Sequence, residues 1–130
     1  MKNIPDSYQK LISDRLKTFA FLATVMPDCS PQVTPVWFNT DDEHILINTM
    51  QGRVKDKNMR ARPQVSLAIM NPADPYHYLQ IRGKVVEYTT EGAEEHINTL
   101  SLKYTGEPWT VESPHPRVIF KILPESFDLH

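Results

Sequence analysis

Residues 32–58 read Gln-Val-Thr-Pro-Val-Trp-Phe-Asn-Thr-Asp-Asp-Glu-His-Ile-Leu-Ile-Asn-Thr-Met-Gln-Gly-Arg-Val-Lys-Asp-Lys-Asn, and this stretch decides the fold. Val33 to Phe38 is rich in β-branched and aromatic residues and predicts a strand. Asn39 to Glu43 is polar and predicts a turn. His44 to Thr49, built on Ile45, Leu46 and Ile47, predicts the second strand of a hairpin. Gly52 then breaks the pattern, and Arg53, Lys55 and Lys57 fall where a strand gives way to a helix. Free N–H groups and the positive end of the helix dipole favour an anion at such a point. Cations there oppose the dipole by roughly a few tenths of a kcal/mol each, a conflict that a bound phosphate removes. A solvated helix start with an ordinary share of charge fits the same residue types, because no Gly-rich phosphate loop accompanies them.

Working outward, residues 4–17 predict a short helix with Tyr8, Leu11, Ile12 and Leu16 on one face. Thr18 to Val25 predicts a buried strand, and the Pro27-Asp28-Cys29-Ser30 turn pairs it with 32–38. Alternation puts Val33, Pro35 and Trp37 on one face and Thr34, Val36 and Phe38 on the other. Pro35 lacks a ladder donor and demands an edge or a bulge. Downstream, Arg53 to Ala61 predicts a helix limited by Pro63. Gln64 to Met70 predicts a strand with Val65, Leu67 and Ile69 on one side. After a loop at 71–75, Tyr76 to Tyr88 predicts a long strand bent or bulged at Gly83. Thr89 or Thr90 caps a helix running to about Tyr104, with Ala93, Ile97, Leu100 and Tyr104 as its buried stripe. Arg117 to Leu123 is the last strand. Six strands with peripheral helices predict a mainly β, antiparallel sheet curled into a small barrel.

The chain has 130 residues, which suits one domain over 1–130, and a net charge of −2, which makes no case for nucleic acid. One cysteine, Cys29, allows no intrachain disulfide. With no long apolar run and no apolar signal core, the expectation is a cytoplasmic protein away from membranes. The five histidines are scattered without ligand spacing, so no metal site is expected. No nucleophile motif or carboxylate pair stands out, which leaves the catalytic residues unknown and suits a coenzyme that carries the chemistry. Pro35 and Trp37 read either as core or as a wall for a flat ring. Asn48 and Thr49 read as a strand-end pair or as partners for a ring edge. Tyr76, Tyr78 and Trp109 read as packing or as a cover over a ligand.

The segments Phe19-Ala-Phe-Leu-Ala-Thr-Val25, Ser30-Pro-Gln-Val-Thr-Pro-Val-Trp-Phe38, Asn48-Thr49, Gly52-Arg-Val-Lys-Asp-Lys-Asn-Met59, Pro63-Gln-Val-Ser-Leu67 and Tyr78-Leu-Gln-Ile-Arg-Gly-Lys-Val-Val-Glu87 together resemble one family. It is the pyridoxamine 5′-phosphate oxidase-like proteins, FMN-binding split β-barrels, and within it the branch of deazaflavin (F-420)-dependent oxidoreductases. The resemblance runs from about residue 5 to residue 124. It implies a six-stranded split barrel that dimerises with itself and holds FMN or F-420 at the subunit interface beside a small-molecule substrate. Carried over by position, it implies Arg53 and Lys55 as phosphate ligands with Lys57 and Asn58 nearby. Val33, Thr34, Pro35, Val36 and Trp37 would line the ring and Asn48 and Thr49 the ribityl chain. Tyr76, Tyr78 and Trp109 would cover the cofactor from either subunit. The residues leave open a carrier of flavin or haem, or a stress protein, without turnover. Two departures stand out: Cys29 occupies a turn position that is usually Gly in the family, and Arg117 and His115 do not form the Arg/His pattern of true pyridoxamine phosphate oxidases. Vitamin B6 oxidation is therefore not the expected activity.

Overall fold

In a computed structural model, which describes Met1, 4–112 and 114–130, seven strands form a single antiparallel sheet. In chain order the elements are α1 (Asp6–Gln9), a 3-10 turn (Lys10–Ile12), β1 (Ala20–Val25), β2 (Pro31–Val36), β3 (Phe38–Thr40), β4 (Ile45–Met50), α2 (Val54–Ala61), β5 (Gln64–Asn71), β6 (Asp74–Thr89), α3 (Ala93–Thr105) and β7 (Arg117–Leu129). The strand order across the sheet is β2-β1-β5-β6-β7-β4-β3.

That order corrects the expected count of six. The run 32–38 is two strands, not one. Val36 pairs with Ala20 on β1, whereas Phe38 pairs with Ile47 on β4. Trp37 alone joins them. The two end strands of the sheet are thus consecutive in the chain, so the sheet must curl until its edges meet at Trp37. Pro35 lies on an edge strand, as its missing donor requires.

The curled sheet wraps one apolar core. Leu22, Phe38, Ile45, Ile47, Leu67, Ile69, Leu79, Ile81, Phe120 and Ile122 are buried inside it, and Leu11, Ile12 and Met59 pack on it from the helical segments. Inward residues recur every second position along the strands, the period of a sheet with one dry face. A smaller cluster of Ile97, Leu100 and Tyr104 fixes α3, packed against Trp37 and Trp109.

Other departures from the expected elements are local. The helix expected over 4–17 is one turn plus a 3-10 turn, because an isolated short helix is marginal; Ile4, Leu11 and Ile12 are its buried anchors, and beyond Ile12 none follows up to 17. Residues 71–75 are not a loop: Asn71 pairs directly with Asp74 in a tight hairpin. β7 runs to Leu129, six residues beyond the expected end, because β6 is long enough to pair with it throughout. α3 is entered through Gly92 in the left-handed region (φ 75°), without a threonine side-chain cap. Thr89 instead accepts a bond from the Glu91 N–H in the turn before it. The expected irregularity at Gly83 is present as a register shift against β7. Cys29 takes φ 72°, the glycine-like conformation of its turn.

Candidate functional site

The seam at Trp37 opens into a cleft of about 350 Å³. β2 supplies Pro35 and Val36, and β4 supplies Asn48 and Thr49. Arg53 and Lys55 come from the start of α2, Ile97 and Leu100 from α3, and Arg117 from the first position of β7. Phe19, Trp37 and Trp109 complete the wall. The volume falls within the roughly 300–1,000 Å³ of small-molecule sites.

Aromatic rings set one side of the cleft. Trp37 stacks on Tyr104 with centroids 5.2 Å apart and planes 4° from parallel. Trp109 meets Trp37 edge-on at 6.2 Å. Tyr104 is held by its hydroxyl, which donates to the Thr18 carbonyl (2.6 Å) and accepts from the Phe38 N–H (3.2 Å). Burial pushes its phenol up to about 12, so it stays protonated and structural. Lys103 locks the same corner by donating to the Phe38 carbonyl at 2.7 Å. Among the described residues, the Trp109 indole N–H is buried without a hydrogen-bond partner.

Cations set the other side. Arg53 is the N-cap of α2 in extended conformation, and Lys55 follows in its first turn. The first-turn N–H groups of a helix have no acceptor within the helix. The Asp56 carboxylate accepts from the Gly52 N–H (2.8 Å) and from Arg60 Nε (2.7 Å). It therefore braces the turn and leaves the charge of Arg53 and Lys55 unmatched by it. Lys55 Nζ reaches Thr34 Oγ1 on β2 at 3.4 Å, bridging the cleft mouth. Burial, then the charges of Arg53 and Arg117, hold the Lys55 ammonium below the usual lysine value. Arg117 is lowered chiefly by its burial; Glu94 opposes this and Arg53 adds to it. Three cations that disfavour one another thus share a partly dry cleft, a repulsion that an anion placed among them would relieve.

Of the residues singled out by sequence, the structure brings Pro35, Val36, Trp37, Asn48, Thr49, Arg53, Lys55 and Trp109 to one cleft, with Thr34 at its mouth. Val33 lies outside it, exposed on β2. Lys57 is exposed one residue past the cleft-facing turn. Asn58 is buried beneath the helix, donating to Thr24 Oγ1 (3.0 Å) and accepting from Arg62 (3.1 Å). Tyr76 is exposed near the β5–β6 turn, and Tyr78 stacks on His130 at 4.4 Å; neither lines the cleft. Arg117, Phe19, Ile97, Leu100 and His96 were not legible as site residues. Arg117 reaches the cleft only because β7 pairs with β4, where Met50 sits opposite it.

His96, buried on α3, sits behind the cleft. Its Nε2 is 2.8 Å from Asn39 Oδ1 and its Nδ1 is 3.1 Å from Asn48 Nδ2. Burial, then the charge of Arg117, lowers its pKa from 6.5 to about 4. The unfolded chain takes up this proton near pH 6.5 and the folded one only near pH 4. Between those values the unfolded state binds more protons, so stability rises with pH across that window: it is lost as the pH is lowered from 6.5 to 4, by about 3 kcal/mol once complete, and is unaffected above it. Urea denaturation at pH 7 and pH 4.5 should show a smaller acid loss in His96→Gln than in the wild type; equal losses would place the acid sensitivity elsewhere.

The chain belongs to the pyridoxamine 5′-phosphate oxidase family, whose model matches residues 4–130. Among solved structures it is similar to an F420 reductase, at 31% identity over 96% of this chain and 98% of that one, with a TM-score of 0.85. It shares its fold with HupZ of Group A Streptococcus (20% identity, 95% and 91% covered, TM-score 0.71). General Stress Protein 26 of Bacillus anthracis is alike in the same sense (19%, 94% and 89%, 0.71). A comparison with the curated proteins finds no match. No helix among the described residues is long and apolar enough to cross a membrane.

Proposed function

We propose that the chain is an oxidoreductase that binds a phosphorylated flavin-type cofactor in the seam cleft, with a small organic substrate against the open face of its ring. The convergence of Arg53, Lys55 and Arg117 on one aromatic-walled cleft carries this reading. Arg53 and Lys55 hold the phosphate, Pro35 to Trp37 flank the ring, and Thr49 faces the polyol chain. The buried Trp109 N–H fits an acceptor on the bound group, since an unmet buried donor costs about 1–3 kcal/mol. Such a cofactor supplies hydride transfer when bound. The chain's part is to fix the phosphate, orient the ring and keep water from one of its faces.

Likeness to an F420 reductase supports the deazaflavin over FMN. The deazaflavin carries a long anionic tail, which further exposed cations near the groove, such as Lys57, Arg60 and Arg62, would favour; their surroundings add little support. Arg60 is bonded to Asp56 and lies over Tyr88, and Arg62 donates to the Val25 carbonyl (2.7 Å). Lys57 and Arg60 are both exposed, Arg60 while tied to Asp56, and Arg62 is half-buried. The reading includes a homodimer. Phe19, Phe21 and Val33 are exposed on β1, β2 and the residue before β1, and Phe19 and Pro35 border the cleft, so a second copy on this face would close it. Tyr76 then serves only across that interface.

Titration of the purified protein with F-420 and with FMN, followed by absorbance, tests the proposal. The expected result is micromolar or tighter binding of F-420 and oxidation of its reduced form by members of a panel of enones and tetrapyrroles. Binding of neither cofactor overturns the reading. Binding without oxidation by any acceptor makes the protein a carrier.

A further inference from the structure

We propose that His96 is a positioning residue, which fixes the Asn48 amide so that Asn48 sets the Arg117 guanidinium as the third anion-binding group of the cleft. The inference rests on the cleft holding an anionic cofactor, and it assigns two residues that touch no ligand a part in that binding.

The argument is an accounting of hydrogen bonds. Asn48 has two donors and one acceptor atom. Its Nδ2 donates to the Ala93 carbonyl (2.9 Å) and to His96 Nδ1 (3.1 Å). Its Oδ1 accepts from Arg117 Nε at 2.6 Å. Reversing the amide would set oxygen against the Ala93 carbonyl and N–H against the Arg117 N–H, two repulsions in place of two bonds. His96 enforces the choice from the other side. With Nδ1 accepting, its proton sits on Nε2 and is donated to Asn39 Oδ1 (2.8 Å). Every polar atom of His96 and of the Asn48 amide is thereby used, across β3, β4, α3 and β7.

Such a network is costly to place beside a core and is weak as mere filling, where an aliphatic residue would do as well. Its output is directional. Within the cleft Arg53 and Lys55 repel Arg117 while Glu94 attracts it, so its place there is set by a balance of charges and its orientation by directional contacts. The Nε bond to Asn48 and its stacking over Trp109, with Cζ 5.2 Å from the ring, hold it there. The arrangement also changes the part assigned to Asn48. Both its donors are spent within the protein, so it aims a cation and does not itself donate to a ligand.

A double-mutant cycle tests the relay, with affinity measured for F-420, for its phosphate-free deazaflavin nucleoside, and for inorganic pyrophosphate. Arg117→Met should weaken F-420 and pyrophosphate by about tenfold and leave the nucleoside within about twofold. His96→Leu should weaken the same two probes by about fivefold, yet by less than about twofold in the Arg117→Met background. His96→Gln, which keeps a donor and an acceptor, should recover most of the loss. If His96→Leu does not fold, Asn39→Ala, which frees only the far ring nitrogen, takes its place in the cycle. Equal losses in both backgrounds, or a lowered Tm with unchanged affinities, overturn the proposal. If the wild type binds pyrophosphate but no cofactor, the proposed function fails while the cycle on pyrophosphate still decides the relay. Binding of neither probe overturns both.

Discussion

Lys55→Glu is expected to weaken binding of the phosphate-bearing cofactor by at least ~100-fold while leaving the phosphate-free nucleoside within a factor of about three. The change removes one charge-assisted contact and places a carboxylate where the anion should sit. Loss of such a contact costs about 1.5–3 kcal/mol, the added repulsion costs more, and each 1.4 kcal/mol is about tenfold. The position matters because Lys55 is half-buried between like charges, so screening by water and salt is reduced there. Lys57→Glu, two residues on and exposed, is the control and should change affinity by less than about threefold. Fluorescence titration of the three proteins decides it. Similar affinities for Lys55→Glu and Lys57→Glu would remove the helix start from the phosphate site.

The second large effect is on stability. Gly83→Ala should cost about 3 kcal/mol or more, which is a large part of a typical domain's 5–15 kcal/mol. A Cβ at Gly83 would run into the Leu123 carbonyl oxygen and lie 3.1 Å from the Leu123 carbonyl carbon and 3.2 Å from Pro124 Cα. These are backbone atoms of the neighbouring strand, and they can withdraw only by prying β6 from β7. Gly106→Ala meets nothing within 4 Å and is strained only by its φ of 76°, so it should cost about 1 kcal/mol. Urea midpoints for the two variants should therefore differ clearly. A Gly83→Ala midpoint near the wild type would show that the bulge yields.

Much of this fold is legible in the sequence because alternation is a local signal. Val65, Leu67 and Ile69 announce their inward face, and Ala93, Ile97, Leu100 and Tyr104 announce the buried stripe of α3. The break at Trp37 is not legible. Its neighbours are as strand-like as any, and only the change of partner from β1 to β4 divides them. The candidate site divides the same way. Arg53 and Lys55 stand out as cations at a helix start. Arg117 lies over sixty residues further on and reaches Asn48 solely through strand pairing. Asn58 looked like part of the cationic step, but its side chain turns beneath the helix toward Thr24. His96 carried no signal, because one histidine on a helix has no spacing to read.

The single residue between β2 and β3 has a consequence for how the protein is made. On a ribosome, β1, β2 and β5 can pair early, but β4 finds its partner β7 only after 117–122 have been synthesised. Until then β3 and β4 have no route to the rest of the sheet, and the halves of the cleft on either side of Trp37 stay apart. Closure is thus a late, non-local event, of the kind that slows folding. The cleft is complete only once residues 117–122 have emerged and paired, and a translational pause before residue 117 would leave two unpaired edges exposed to other chains.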